Sequence, residues 1–261
     1  MLTFPNINPI AFSIGPLQVH WYGLMYLLGF LAAWLLAHYR VRHYHLNWTP
    51  NQISDLIFYS AIGVIIGGRV GYMLFYSDGA LWTHPLELFK IWQGGMSFHG
   101  GLIGVLLALF YFAHTIKKPF WEVADFLAPL VPIGLAFGRL GNFINGELWG
   151  RVTDVPWAMV FPHVDSLPRH PSQLYEVGLE GIGLFILVWV YARVPRPNGC
   201  VSAVFLMGYA VSRLFIECFR EPDPQLGFLA FQWLTMGQLL SIPMLLLGCL
   251  LWWMKRNENL S

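Results

Sequence analysis

The chain has 261 residues, of which 56% are hydrophobic and only 11% are charged. Soluble globular domains average about 25% charged residues, so this composition predicts an integral membrane protein and excludes a disordered chain. The net charge of +1 gives no attraction to a polyanion, which argues against nucleic acid as a partner.

Seven apolar segments, each long enough to cross a bilayer as a helix, follow one another along the chain. We predict them at about 18–38, 53–76, 97–116, 121–137, 172–192, 199–219 and 236–254. Asp125, Pro129 and Pro132 interrupt the fourth of them. Because irregular backbone cannot face lipid, the predicted fold class is all-α. We expect a polytopic membrane protein of about seven transmembrane helices, forming one domain over residues 1–261.

Basic residues near the ends of these segments predict the orientation, because Lys and Arg accumulate in cytoplasmic loops. Eight of them follow the first, third, fifth and seventh segments, and five lie on the opposite side in much longer stretches. The N-terminus is therefore expected outside the cell membrane and the C-terminus in the cytoplasm. The connection at about 138–171 is the longest on the outer side, and we expect it to form a small extracytoplasmic head.

Polar side chains that are costly inside a bilayer gather near the outer ends of the segments. Arg213 lies about 14 residues beyond the cytoplasmic start of the sixth segment, roughly 21 Å into a core of about 30 Å. Arg139 closes the fourth segment, His99 opens the third, and Tyr22 lies near the start of the first. Random placement would not favour one side, so the sequence predicts an extracytoplasmic site at headgroup depth.

Tyr209, Arg213 and Glu217 are spaced four residues apart and therefore share one face of a helix. A structural interpretation is an Arg–Glu pair that neutralises itself within the bundle. The functional interpretation is an anion clamp, in which Glu217 orients a guanidinium group whose planar fork binds phosphate oxygens in pairs.

The segment from Gly138 to Gly150 is dense in glycine and in polar side chains. Its four glycines and two asparagines permit tight turns of the backbone next to a ligand. An ordinary loop would explain the glycines, but not Arg139, Asn142 and Glu147 at the end of a span. Two arginines from two spans at the same depth suggest a site for one phosphate group.

Together these stretches resemble the prolipoprotein diacylglyceryl transferase family of bacterial inner membranes. The segment Gly138–Gly150 is similar to the signature of that family, Gly-Arg-x-Gly-Asn-Phe-x-Asn-x-Glu-x-x-Gly. Further motifs match in order: His20–Gly23, His99–Gly101, His170–Glu176, and Arg213 and Glu217 with Arg220–Asp223. The resemblance extends from about Asn6 to the last span.

The resemblance implies an enzyme that moves the diacylglyceryl group of phosphatidylglycerol to the lipobox cysteine thiol of a prolipoprotein. A thioether forms, glycerol 1-phosphate leaves, and no metal or organic cofactor is expected. The implied partners are phosphatidylglycerol among the membrane lipids and a prolipoprotein signal peptide, with the active site toward the periplasm. The residues implied as catalytic are Tyr22, His99, Arg139, Arg213 and Glu217. Those implied to bind substrate are Arg139, Asn142, Glu147, Gly150 and Tyr209.

The residue types agree with this chemistry. Loss of phosphate from a glyceryl carbon builds negative charge, which two guanidinium groups in a low-dielectric pocket stabilise. A thiol of pKa about 8.5 must first lose its proton. His99 is the candidate base because histidine takes a proton near neutral pH, and Tyr22 and Glu147 are the alternatives.

Two other functions would explain some of the same sequence features. A transporter or flippase for an anionic lipid or solute would use the same arginines, but transport needs access from both sides. The cytoplasmic halves of the spans contain few polar residues to form such a path. A structural membrane component that only recruits partners leaves Arg213 unexplained.

Overall fold

Helices form most of the chain in the computed structural model, which describes residues 2–15, 17–77, 80–90, 95–222 and 234–258. The first helices are α1 (Trp21–Tyr44), α2 (Pro50–Phe75), α3 (Ala80–Thr83) and a 3₁₀ helix (Pro85–Phe89), followed by α4 (Phe98–Thr115), α5 (Phe120–Leu127) and α6 (Val131–Asn145). After them come α7 (Ser172–Glu176), a π-helix (Val177–Gly183), α8 (Leu184–Tyr191), α9 (Cys200–Ile216) and α10 (Met236–Lys255). Asp223, the end of one matched motif, lies outside the described residues.

Five of the described helical stretches are long and apolar enough to cross a bilayer. They are α1, α2, α4, the continuous run Ser172–Tyr191 and α10. The pair α5–α6 is a sixth candidate with a bend of 48°, and α9 is an apolar helix of 17 residues. The chain is therefore a mostly helical, multi-pass membrane protein, as its composition predicts.

The fourth predicted span is two helices rather than one. Pro132 lies in the first turn of α6, where its missing N–H costs no helical hydrogen bond. Pro129 lies in the turn that separates α6 from α5. The second helix also runs further than predicted, so Arg139 and Asn142 lie inside α6. The irregular segment, expected from residue 138, begins only after Asn145.

Five short strands correct the all-α prediction. The strands β2 (Ile10–Ile14) and β3 (Leu17–His20) form an antiparallel hairpin, so helix α1 starts at Trp21 and not at the predicted residue 18. The strands β1 (Leu2–Thr3), β4 (Met159–Val160) and β5 (Pro168–Arg169) form a second small sheet. In it β1 is parallel to β4, and β5 is antiparallel to β4. Buried Phe4, Met159 and Phe161 pack together beside this sheet.

The chain divides into two compact units, Met1–Ala33 with Asp125–Ser261, and Trp34–Ala124. In the second unit, helices α2 and α4 approach so closely that only glycine fits between them. A Cβ atom on Gly67 would lie 2.3 Å from the carbonyl oxygen of Gly100, and one on Gly104 would lie 2.1 Å from that of Gly63. Small residues permit such close packing of membrane helices. The glycines that follow His99 therefore serve this helix contact.

In the first unit, the carboxylate of Asp125 caps the N-terminus of α9. It accepts hydrogen bonds from the backbone N–H groups of Gly199 and Ser202, both at 2.8 Å, and from Ser202 Oγ at 2.6 Å. The first N–H groups of a helix have no partner within it and carry partial positive charge. The carboxylate therefore joins α5 to α9 across 74 residues of sequence.

Asp125→Ala is expected to destabilise the first unit by about 1–2 kcal/mol, the usual cost of losing a helix cap. Asp125→Asn should cost less, because its amide oxygen still accepts hydrogen bonds although the attraction between charge and helix dipole is lost. Thermal unfolding in detergent measures both. Glu122→Gln, three residues earlier, is the control, since it removes only an ion pair with Lys118 at the start of α5. An Asp125→Ala protein as stable as the control would contradict the capping role.

Candidate active site

A buried group of charged side chains links α6, α7, the π-helix and α9 in the first unit. It is called the arginine–glutamate network here and consists of Arg139, Arg213, Arg220, Glu176, Glu180 and Glu217. Its three guanidinium groups and three carboxylates balance in formal charge. That balance matters because a buried charge without a partner is strongly destabilising.

Arg139 and Arg213 meet at one pair of carboxylates. Glu176 Oε1 accepts from Arg213 Nη1 at 2.6 Å, and Glu176 Oε2 lies 3.4 Å from Arg139 Nε. Glu180 Oε2 lies 3.3 Å from Arg139 Nη2, and Glu180 Oε1 lies 3.4 Å from Arg213 Nη1. Two predicted arginines from two different helices are therefore brought to one place.

The two carboxylates project from a stretch of unusual backbone. Glu176 ends α7 and Glu180 lies in the π-helix, so the four-residue spacing places both on one side of the run. The π-helix is rare in proteins, and the single turns that are found often lie at functional sites. Gly181 lies directly against α6, where a Cβ atom would come within 2.6 Å of Ala136 Cβ. This close approach places Glu180 beside Arg139.

Glu217 is held from several sides. It forms an ion pair with Arg213, one turn earlier on the same helix, as the spacing predicts. It also accepts a hydrogen bond from Arg220 Nη1 at 3.3 Å and one from Thr235 Oγ1 at 2.6 Å. Its side chain is almost completely buried, so Glu217 anchors Arg213 to the end of α9 and to the start of α10.

The signature segment is helix in its first half and loop in its second. Helix α6 ends at Asn145, and Gly146 after it has a φ of +68°, the left-handed conformation typical of a glycine after a helix. Beyond it, Glu147 accepts hydrogen bonds from Asn142 Nδ2 at 3.3 Å and from Asn145 Nδ2 at 3.2 Å. Asn142 is buried, whereas Glu147 is exposed, so this carboxylate is accessible from outside the protein.

Gly150 lies where three segments of backbone meet. Its N–H donates to the carbonyl oxygen of His170 at 2.9 Å, and it forms an isolated bridge with Arg220. A Cβ atom there would lie 2.5 Å from the His170 oxygen and 2.7 Å from the Phe219 oxygen. A side chain at position 150 would therefore clash with the backbone, and glycine allows the signature segment to pack against the end of α9.

The predicted tyrosines lie near the charged groups. Tyr209 lies one turn before Arg213 on α9 and within electrostatic reach of Arg139 and Glu180. Its ring packs against the apolar cluster of Ala128, Leu184, Val188 and Val201. Tyr22, in the first turn of α1, is within electrostatic reach of Arg139 and Glu147, and its hydroxyl lies 3.4 Å from that of Tyr26.

His99 belongs to the second unit, where it is exposed in the first turn of α4. Ser97 caps this helix, because its side chain accepts a hydrogen bond from the N–H of Gly100 at 3.2 Å. The histidine therefore stands at the start of a helix, as expected. Its role as a base stays a prediction.

The sequence patterns alone give no role to Glu176, Glu180 and Arg220. Glu176 and Arg220 lie inside the matched motifs, and Glu180 lies outside them. A usable signal was present: two carboxylates inside an apolar span of 20 residues, where charged groups are costly and mark function.

The irregular segment after α6 has its own charged and titratable groups, outside the spans. Arg169 Nη2 donates to Asp165 Oδ2 at 2.6 Å, and this hydrogen bond lowers the pKa of Asp165. Burial lowers the pKa of His170, which favours the neutral form of its ring. One ring nitrogen lies 3.0 Å from the hydroxyl of Tyr175.

Comparison with known proteins places the chain in a family. The family model described as prolipoprotein diacylglyceryl transferase matches residues 9–254. A protein of Legionella pneumophila (strain Lens) is 70% identical over 256 residues, 98% of this chain and the whole of the relative. A protein of Coxiella burnetii (strain RSA 331 / Henzerling II) is 58% identical over 260 residues, 99% of this chain and the whole of the relative. Both relatives carry the name phosphatidylglycerol–prolipoprotein diacylglyceryl transferase.

The fold and the site define a helical, multi-pass membrane protein with a buried, charge-balanced network. The family match spans almost the entire chain and includes every residue of that network. The chain therefore belongs to the prolipoprotein diacylglyceryl transferase family.

Gly150→Ala is expected to lower the free energy of unfolding by about 1–3 kcal/mol, since the added methyl group meets backbone oxygens that have little room to move. Gly134→Ala on α6 is the matched control, because a Cβ atom there has no neighbour within 4 Å. Thermal unfolding in detergent compares the two proteins. If both variants are equally stable, the packing role assigned to Gly150 is wrong.

Proposed function

We propose that this protein transfers the diacylglyceryl group of phosphatidylglycerol to the lipobox cysteine thiol of a prolipoprotein. A thioether forms and glycerol 1-phosphate is released, which is the first step of bacterial lipoprotein maturation. The names of the full-length relatives give both substrates. Within the chain, the observation that carries the proposal is the arginine pair Arg139 and Arg213.

The exposed side of this pair suits a phosphate. The side chains of Glu176 and Glu180 are 0% exposed, whereas those of Arg139 and Arg213 are 19% and 11% exposed. The arginines are therefore the more accessible partners of these ion pairs. Guanidinium groups bind phosphate oxygens through paired, charge-assisted hydrogen bonds, and two of them provide donors for one phosphate.

The transfer is a displacement at the glyceryl carbon. The substrate thiolate forms the new C–S bond while the C–O bond to phosphate breaks, and the phosphate oxygen keeps the electron pair. Negative charge grows on the leaving phosphate, and two guanidinium groups already held in place stabilise it without reorganising. In this mechanism Glu217 supports Arg213, while Asn142, Glu147, Gly150 and Tyr209 form the walls that bind the lipid headgroup.

We propose His99 as the base that takes the thiol proton, with Tyr22 and Glu147 as alternatives. A thiol with a pKa of about 8.5 is mostly protonated at neutral pH, so a base increases the fraction that attacks. Histidine is the side chain that takes a proton near neutral pH, and His99 is exposed.

We place the protein in the bacterial inner membrane with seven spans, counting the bent pair α5–α6 and the short helix α9. The distribution of Lys and Arg supports an external N-terminus and a cytoplasmic C-terminus. In this arrangement residues 1–261 form one integral membrane domain, residues 138–171 form the extracytoplasmic head, and the active site faces the periplasm at headgroup depth.

The decisive test incubates the purified protein with phosphatidylglycerol and a peptide that contains a lipobox cysteine. Mass spectrometry should show the mass of a diacylglyceryl group added to the peptide, and none added when serine replaces the cysteine. Arg213→Lys should abolish most turnover, since lysine keeps the charge but loses the planar fork. A folded wild-type protein that forms no adduct would contradict the proposal. Movement of the lipid between leaflets without adduct would favour the transporter.

His99→Gln should lower the rate by about 10²–10⁴ while phosphatidylglycerol binding is nearly unchanged, because it removes proton transfer and leaves the arginines in place. Raising the pH to about 9.5, where the thiol ionises without help, should restore part of the rate. The measurement is the initial rate of adduct formation against pH for both proteins. A variant that stays equally slow at high pH would show that His99 is not the base.

A further inference from the structure

We propose that Glu180 is a positioning residue that holds the guanidinium groups of Arg139 and Arg213 in the pose needed for transfer, and that its charge weakens phosphate binding in the ground state. This inference rests on the proposed function, because it takes the phosphate of phosphatidylglycerol as the ligand of the two arginines. Glu180 lies outside the motifs that carry the family resemblance.

The contacts of Glu180 link the two arginines to each other. One carboxylate oxygen lies 3.3 Å from Arg139 Nη2, and the other lies 3.4 Å from Arg213 Nη1. A carboxylate that uses one oxygen for each guanidinium group fixes both their separation and their relative tilt. Both distances exceed the roughly 2.7–2.9 Å of a strong charge-assisted hydrogen bond, so an arriving phosphate can take these donors.

The other two carboxylates of the network are held more tightly. Glu176 also contacts both arginines, but its contact with Arg213 is short, at 2.6 Å, and Glu217 is tied to Thr235 and Arg220. Glu180 contacts the two guanidinium groups only at 3.3 and 3.4 Å. It is therefore the carboxylate that can align the pair without competing strongly once the lipid binds.

The backbone around Glu180 fixes its place. It lies inside the π-helix, and the neighbouring Gly181 brings that turn against Ala136 of α6. Its side chain is fully buried. Such a residue controls the geometry of its partners while remaining out of reach of the substrate.

A buried negative charge beside a phosphate site acts oppositely on binding and on rate. It repels the phosphate of the bound lipid, so removing it should tighten binding. It also holds donors where charge develops as the phosphate leaves, and only interactions that are stronger in the transition state raise kcat. Loss of this charge should therefore tighten binding and slow the transfer at the same time.

The experiment measures the Kd for phosphatidylglycerol and the kcat for transfer to a lipobox peptide in the full-length protein. Glu180→Gln keeps the size of the side chain and removes its charge. It is expected to lower the Kd at least threefold and kcat at least tenfold. Glu180→Asp keeps the charge but shortens the side chain, so kcat should fall while the Kd stays close to that of the wild type. Glu122→Gln, whose carboxylate pairs with Lys118, is the control and should change neither quantity.

A purely structural role for Glu180 would lower kcat with unchanged or weaker binding, since damage to the fold does not tighten a binding site. That result, or an unchanged kcat, overturns the inference. If Glu180→Gln does not fold, Glu180→Asp provides the test instead. A kcat equal to that of the wild type in this variant overturns the positioning role. A wild-type protein that binds phosphatidylglycerol but transfers nothing overturns the proposed function instead. The binding comparison then still tests the charge effect of Glu180.

Discussion

The constraint on which the rest of the structure depends is the cost of burying charge in a chain that is more than half hydrophobic. An unpaired charge in a membrane interior is strongly unfavourable, so charged side chains there must find partners. The network meets this requirement with three guanidinium groups and three carboxylates, two of which are completely buried. Arg139 and Arg213 are therefore held in place by carboxylates of the protein itself.

The irregular features of the helices serve to bring these partners together. The break before α6 changes the direction of the fourth span, the π-helix carries Glu180, and Gly150 lets backbone segments meet beside Arg220. Each feature departs from a regular transmembrane helix, and the π-helix and Gly150 lie within or beside the network. Regular helices alone would bury the apolar surface, but they would not place side chains from four helical segments at one point.

In the proposed reaction, this arrangement suits a phosphate that becomes more negative as it leaves. A flexible arginine would have to lose conformational freedom as the leaving group departs, which raises the barrier. Arg213 is instead held by Glu176, Glu180 and Glu217. A site whose donors are already oriented stabilises developing charge without reorganisation, and this is usually the largest electrostatic contribution to catalysis.

The sequence alone determined the features that depend on local patterns. Apolar length predicted the membrane spans, four-residue spacing predicted the Arg213–Glu217 pair, and the depth of the charged residues predicted that Arg139 and Arg213 share a site. Two features were predicted wrongly from short-range patterns. The fourth span was predicted as one helix, although the chain breaks near two prolines, and the first helix was predicted to start within what is a β-hairpin. Only the tertiary structure decided the partners of the arginines. Glu180 lies 41 residues from Arg139 and 33 from Arg213, and such contacts are set by how helices pack rather than by any spacing along the chain.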